Sequence, residues 1–450
     1  MQPRVLLIQP PIEDFYITPI RTYPLNLIYL ASALEAAGIE VSILDCLNPL
    51  TRRTLAYPEV FDYLKEYYDP NEKGPTKLFG HYYRFGLSDE AILQHIETFA
   101  PDIIGISANF TAYFDAVETL CQKINKAFPS IKIILGGYHA TVFSDAIKQR
   151  LPFVDLISGE GEAALLTMLG IDAAPFNFET FIPDHHLINP SLYPMHRQNM
   201  AALVASRGCV KACTFCTVSS MYGRSMRWRT VEGIMAEMKT LYDTRHVRVF
   251  DFEDDNLSLN RAWFMALLTE IIATFKDIRL YAMNGIALET LDQPLLELMW
   301  QAGFRNLNLS LVTAQESEQT RLNRGTNNTI FDRVVKEAKA IGFAITAYFI
   351  LGLPDQTATD IKETLSFLYK YDILVAPSVF YPPPGTPLYN DEPWIMCRSS
   401  AFALNPSTFP RSEQVNIFRR VREMNLARHL SLPAMDKPLY LPTNRPEENC

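Results

Sequence analysis

Short apolar runs at 5–8, 39–44, 103–107, 131–135 and 154–157 are separated by stretches of helical periodicity at 25–37, 88–99 and 112–128. Continuous apolar runs alternating with amphipathic helices predict strands of a parallel, doubly wound sheet, because each crossover lays a helix on one face. The alternation resumes further along the chain. Strands are predicted at 201–206, 247–252, 279–283, 306–311, 344–350 and 375–381, with helices near 230–243, 261–275, 292–301, 328–341 and 357–371. These make six βα units, too few for a closed eight-fold barrel.

Between the two series, residues 171–200 hold Pro175, Pro183, Pro190 and Pro194 with little periodicity, which predicts an ordered linker. After residue 387 one helix is predicted, at 412–429. The expected division is therefore a sheet domain over 1–170, a linker over 171–200, a βα domain over 201–387 and a small, mainly helical segment over 388–450. The stretch 47–85, rich in Tyr, Pro and charge, is expected to be a surface insertion between the second and third strands that covers the substrate.

In parallel sheets, ligands gather beyond the carboxyl ends of the strands, so the residues following each strand are the candidates. In the first series these are Gln9, Ser107, Asn109, Gly136 and Gly137, then Gly159, Glu160, Gly161 and Glu162. A Gly pair after a strand also serves as a plain turn. In the second series they are Glu253, Asp254, Asp255 and Asn256, then Asn284, Ser310, Glu316 and the loop from Gly352 to Thr357. An acidic run can equally be a solvated turn, and Asp355 or Thr357 can simply cap the next helix.

Composition narrows the class. Over 450 residues, 48% apolar content supports sizeable cores, and a net charge of −9 argues against a nucleic-acid footprint, which needs a basic surface. No apolar run approaches the roughly 20 residues of a spanning helix. No signal peptide precedes the first strand, so a cytoplasmic protein is expected. Of seven cysteines, Cys46, Cys121, Cys397 and Cys450 are scattered singly, unlike a disulfide framework.

The other three stand together as Cys209-x3-Cys213-x2-Cys216, just after the first strand of the second series. Three close thiols suit a soft metal centre, either zinc or an iron–sulfur cluster. Zinc wants a fourth protein ligand at short range, yet the nearest histidines are His196 and His246.

With Phe215 directly before the third cysteine, this motif resembles the signature of the radical S-adenosylmethionine (radical SAM) superfamily. The resemblance implies an open (β/α)6 partial barrel and a [4Fe-4S] cluster held by the three cysteines. It also implies an open iron that binds SAM, and cleavage of SAM to a 5′-deoxyadenosyl radical. Residues implied to meet SAM are Phe215, Glu253, Asp254, Asp255, Asn284, Ser310, Arg324 and Gly352, although Arg324 also reads as a surface arginine.

The first segment resembles the Rossmann-like cobalamin-binding domain of cobalamin-dependent radical SAM enzymes in four places. These are the opening Val5-Leu-Leu-Ile-Gln-Pro-Pro11, the helix from Tyr23 to Ala31, Gly136-Gly-Tyr-His-Ala-Thr141 and Gly159-Glu-Gly-Glu162. Cobalamin contacts are thereby implied at Ser107, Asn109, Gly136, Gly137, Gly159, Glu160 and Gly161. The loop after the first strand has no Asp-x-His-x-x-Gly, which implies base-off cobalamin without a protein His ligand. His139, which follows a different strand, reads as a loop residue.

The function implied is methylation of an unactivated carbon in a small-molecule, lipid or peptide substrate. An external electron donor such as flavodoxin or ferredoxin would serve it. Cyclisation, rearrangement or oxidation without methyl transfer is the alternative, ahead of a non-catalytic cobalamin or redox sensor. A tRNA methylthiotransferase-like enzyme is disfavoured by the acidic charge and the lack of a basic tail. Trp394, Phe402 and Phe409 are candidate lid residues, and Cys397 or Cys450 a candidate quenching thiol.

Overall fold

Five parallel strands form the first sheet: β1 (Val5–Gln9), β2 (Val41–Asp45), β3 (Ile103–Ser107), β4 (Lys132–Gly136) and β5 (Val154–Ile157), in spatial order β2-β1-β3-β4-β5. The computed structural model describes residues 3–17, 23–48, 50–71, 75–325, 327–389 and 410–431. Trp394, Phe402, Phe409, Cys397 and Cys450 lie outside them.

The two-residue alternation of strand side chains divides this sheet's core into two layers. Leu6, Ile8, Ile104 and Ile106 pack under the helices Asp89–Phe99 and Phe114–Ala127. Val5, Leu7 and Ile134 pack under Leu25–Ala36 and Gly161–Met168. Strand order reverses between β1 and β3, the place where doubly wound sheets open a crevice at the strand ends.

The second series is a partial barrel of six parallel strands: β6 (Gln198–Leu203), β7 (Val247–Phe252), β8 (Arg279–Tyr281), β9 (Asn306–Val312), β10 (Ala344–Leu351) and β11 (Leu374–Val379). β6, β7 and β8 pair in one sheet, β9, β10 and β11 in another, and the single bridge Leu280↔Phe304 joins them. The intervening helices begin where the sequence supplies side-chain N-caps. Thr230, Asn260, Asp292, Asn327 and Thr357 each accept a backbone N–H of the first turn. Thr357 does so within a reciprocal capping box with Asp360.

The C-terminal helix Arg411–Ser431 lies along β11. Its Asn425 side chain donates to Val375 O at 2.7 Å and accepts from Val375 N at 2.9 Å, satisfying the exposed edge of the barrel.

Residues 47–85 form an insertion between β2 and β3, largely exposed or half-buried but rooted in the core. Arg52–Leu55 and Tyr82–Phe85 build an antiparallel sheet with Ile12–Asp14. Phe61, Leu64 and Phe79 are buried in the largest core of the molecule. The Phe15 ring packs within 5.2–5.7 Å of Tyr57, Phe61, Phe79 and Tyr82. The short 3₁₀ turns Glu59–Tyr67 and Pro75–Gly80 place these rings without the 3.6-residue repeat that marks a buried helix.

Candidate two-cofactor site

The Cys loop is anchored before its first cysteine. Ser206–Arg207 pairs antiparallel with Arg227–Trp228, and Gly208, at φ +90°, turns the chain where a Cβ would meet Ser225 O at 2.2 Å. Beneath the hairpin lies Asp254, fully buried. Its carboxylate accepts from Ala205 N at 3.1 Å, from Ser206 N, and from Ser206 Oγ at 2.5 Å. Burial pushes this acid up to about 7 against the pull of those donors. Asp254 thus supports the start of the Cys loop with both carboxylate oxygens.

Its neighbours point elsewhere. Burial raises Asp255 to about 6, opposed by the Gly208 N–H and the Arg207 charge, and its own charge bears on Cys216. Glu253 is half-buried and hydrogen-bonds Asn284. The Asn256 side chain, 4% exposed, places Nδ2 3.6 Å from Cys209 Sγ. Gly285 allows the approach of this loop, since a Cβ there would stand 2.1 Å from Asp255 O.

The far side of the Cys loop is held by the 322–325 turn. Thr214 N donates to Leu322 O at 3.2 Å and Asn323 Nδ2 to Ala212 O at 3.2 Å. Arg324 Nη2 donates to Ser310 O at 3.1 Å, so two residues predicted on separate elements do meet. Beyond Ser310 the pairing of β9 with β10 shifts register, and Val312 sits at φ +70°, a strained conformation for a β-branched residue. Phe215 packs against Val312, Leu322, Leu353 and Phe380, anchoring the loop from below. Gly352 and Leu353 are positioned by Gln356, whose Oε1 accepts both backbone N–H groups. Thr357 carries the cap instead.

The thiols suit a shared metal centre. Burial raises the Cys216 thiol; the Val218 N–H works the other way, and the charges of Cys213 and Cys209 add to the rise. Among the described residues no three His, Cys, Asp or Glu side chains converge on a single-ion position. Thr214 Oγ1, Asn256 Oδ1 and Arg324 Nε are buried without partners around the same loop, an unusual density of orphaned polar atoms in a folded protein and the mark of a ligand site.

The first domain contributes an open-mouthed pocket between the sheet and the helix Leu25–Ala36. All seven residues predicted for cobalamin line it: Ser107, Asn109, Gly136, Gly137, Gly159, Glu160 and Gly161. Space comes from missing side chains. Gly105 and Gly136 occupy the positions of β3 and β4 that face this helix, and a Cβ on Gly136 would have only Ile157 near it, at 3.9 Å. Ser107 Oγ accepts from both Asn26 and Asn109 at 3.1 Å. Sequence reading missed Asn26 and Gly105. A glycine inside the apolar run 103–107 was the available signal, since such a residue marks close approach.

His139 is not in this pocket. It lies on the helix Tyr138–Val142, fully buried between Phe114 and Phe143 at 4.1 and 4.8 Å, with Nδ1 3.1 Å from Thr111 Oγ1. Burial and then the Arg150 charge depress it to about 3, leaving a neutral core histidine rather than a loop residue.

Pocket and Cys loop share a wall. Arg207, Met221 and Tyr222, which bracket the cysteines, complete the pocket lining. Arg207, 8% exposed, pairs with Glu160 at 2.7 Å and with Glu162 at 2.6 Å, and Arg227 also pairs with Glu160. The Arg207 guanidinium lies over the rings of Phe178 at 4.4 Å and Tyr29 at 5.1 Å. Burial works to discharge it, but the charge and hydrogen bond of Glu162 hold it above its ordinary range. The Glu160 carboxylate is therefore occupied by arginines. Nearby, Tyr138 Oη donates to Pro384 O at 2.5 Å, joining the Gly-Gly-Tyr turn to the barrel exit.

Fold and site together define an α/β protein in which a three-thiol loop on a partial barrel abuts a glycine-floored pocket on a doubly wound sheet. The family model for the radical SAM superfamily matches residues 203–368, and that for the B12 binding domain matches residues 81–169. Cytidylyl-2-hydroxyethylphosphonate methyltransferase of Streptomyces wedmorensis is 26% identical over 434 residues, spanning 82% of this chain and 76% of that one. Anaerobic magnesium-protoporphyrin IX monomethyl ester cyclase of Rubrivivax gelatinosus is 25% identical over 332 residues, covering 66% of this chain and 59% of the relative. The radical SAM methyltransferase TsrM from Kitasatospora setae, solved with cobalamin and a [4Fe-4S] cluster, shares the fold at TM-score 0.63 and 16% identity, over 84% of this chain and 75% of that one. The chain belongs to the cobalamin-dependent radical SAM enzymes.

Proposed function

We propose that this protein transfers a methyl group from SAM to an unactivated carbon of a small-molecule, lipid or peptide substrate. The observation that carries the reading is the shared wall: Arg207, Met221 and Tyr222 border both the Cys loop and the sheet pocket, so the two cofactors would face one cavity. When bound, the cluster supplies the electron that cleaves SAM, and cobalamin supplies the methyl carrier.

The protein's part is holding and orienting. Cys209, Cys213 and Cys216 would hold the cluster. Ser310, Arg324, Glu253, Asp255, Asn284 and the Gly352 turn would receive SAM, with Arg324 suited to a carboxylate. Phe215 and Asp254 would act through the loop they support. The pocket from Ser107 to Gly161 would hold the nucleotide tail of base-off cobalamin, with no histidine offered to the metal. Half-buried Asn308, Thr346 and Tyr348 alternate with the buried Leu307, Leu309, Ile345 and Ala347 and would form a neutral polar wall for the substrate. Domain limits of 1–170, 171–200, 201–387 and 388–450 and an external flavodoxin- or ferredoxin-type donor belong to this reading.

The S. wedmorensis and K. setae relatives, both methyltransferases by name, support methyl transfer. The R. gelatinosus cyclase supports a second reading, oxidation or cyclisation without methyl transfer. Anaerobic purification with cluster reconstitution, cobalamin quantitation and incubation with methyl-deuterated SAM and cell extract separates them. A deuterium-labelled product is expected. Deoxyadenosine without a labelled product would establish the second reading, and absence of bound cobalamin would overturn both.

A further inference from the structure

The three cysteines differ in what faces their sulfurs. Cys213 Sγ lies 3.5 Å from the Asn323 carbonyl, an acceptor. Cys216 takes the backbone N–H of Val218. Cys209 faces a side chain, Asn256 Nδ2 at 3.6 Å, within the range of a hydrogen bond to sulfur. Asn256 directly follows the acidic run at the end of β7, is 4% exposed, and has its Oδ1 buried without a partner. No bond to Oδ1 therefore decides which way the amide points. The sulfur decides it, because a thiolate accepts from the NH2 group and repels the carbonyl oxygen. The loop itself is pinned by Leu257 N donating to Gly285 O at 3.1 Å, so the amide cannot easily withdraw.

We propose that Asn256 is a positioning residue that tunes the metal centre: its side-chain amide donates a hydrogen bond to the Cys209 thiolate and so makes the bound cluster easier to reduce. This rests on the cluster reading above. A donor to a ligating sulfur withdraws electron density from the iron–sulfur unit and stabilises the more negative, reduced form. Away from bulk water such a hydrogen bond is electrostatically stronger. It falls on one of the three ligands, and through a side chain that mutation can remove, unlike the backbone donor to Cys216.

The test is a reduction titration monitored by electron paramagnetic resonance on the reconstituted full-length holoprotein, comparing wild type, Asn256→Leu and Asn256→Gln. Leu removes the donor at similar volume; Gln keeps an amide on a longer stem. The expected result is a more negative potential in Asn256→Leu at unchanged iron content, with Asn256→Gln lying between it and wild type. An unshifted potential in Asn256→Leu at full iron content would overturn the proposal. Loss of iron from both variants would also overturn it, assigning Asn256 to loop structure alone. A wild-type protein that takes up no cluster would instead overturn the cluster reading itself.

Discussion

Replacing Arg207 with Met tests whether the two halves of the site are held together electrostatically. Arg207 is buried, contacts Glu160 at 2.7 Å and Glu162 at 2.6 Å, and follows the strand end that Asp254 supports. A pair of unit charges about 4 Å apart at an effective dielectric near 20 attracts by about 4 kcal/mol, much of it offset by desolvation. Removing one partner leaves the other uncompensated, and Glu162 is only 4% exposed. The expected loss is therefore about 3–5 kcal/mol, with methionine recovering part of the packing on Phe178 and Tyr29. Urea unfolding followed by tryptophan fluorescence measures it, Trp228 lying across the hairpin from Ser206. The double variant Arg207→Met/Glu162→Gln should be less damaged than the two single losses added together, by roughly 1–3 kcal/mol. Cobalamin binding should weaken at least about tenfold, equivalent to about 1.4 kcal/mol, because the Glu162 carboxylate would then line its pocket without its arginine. A stability loss under about 1 kcal/mol, or simple additivity in the double variant, would refute the clasp.

Gly136→Val projects a branched side chain into the sheet pocket from a position with an unstrained backbone and room for the Cβ. Cobalamin should be lost on size-exclusion while iron content and circular dichroism stay at wild-type levels; retained cobalamin would mean that the pocket is not its site. Asp254 makes a pH prediction. Its folded value of about 7 lies above the ordinary 3.8, so the native state holds the proton more tightly. This contribution to stability is full below pH 3.8 and lost as pH rises towards 7, by up to roughly 4 kcal/mol at about 1.4 kcal/mol per pH unit. Asp254→Asn should flatten that slope in thermal melts between pH 5 and pH 8, and an unchanged slope would show that the carboxyl is ionised throughout. Cys213→Ala should abolish the visible absorbance of the reconstituted cluster, and an unaltered spectrum would remove Cys213 from the ligand set.

Local chemistry was legible where it is carried by neighbours in sequence. Apolar runs mark both series of strands and helices, because burial acts within a few residues. Cys209, Cys213 and Cys216 read as a metal loop for the same reason, and the seven strand-end residues from Ser107 to Gly161 line one pocket because parallel topology sends strand ends to one side. Periodicity could not show that Phe15, Phe61 and Phe79 make a core, since their contacts join a loop to 3₁₀ turns over long separations.

Roles that depend on which partner arrives first were decided only by the tertiary structure. Asp254 and Glu160 read as ligand-facing acids in sequence; in the fold Ser206 hydrogen-bonds the first, and Arg207 and Arg227 pair with the second, which also lines the pocket. His139 reads as a loop histidine and is a neutral core residue between two phenylalanine rings. Asn256 reads in sequence only as the end of an acidic strand-end run, and acquires its role by lying against Cys209. A carboxylate, an imidazole or an amide acts through its neighbours within a few ångströms, and where 47 to 67 residues of sequence separate Asp254, Glu160 and Asn256 from their partners, only the fold chooses them.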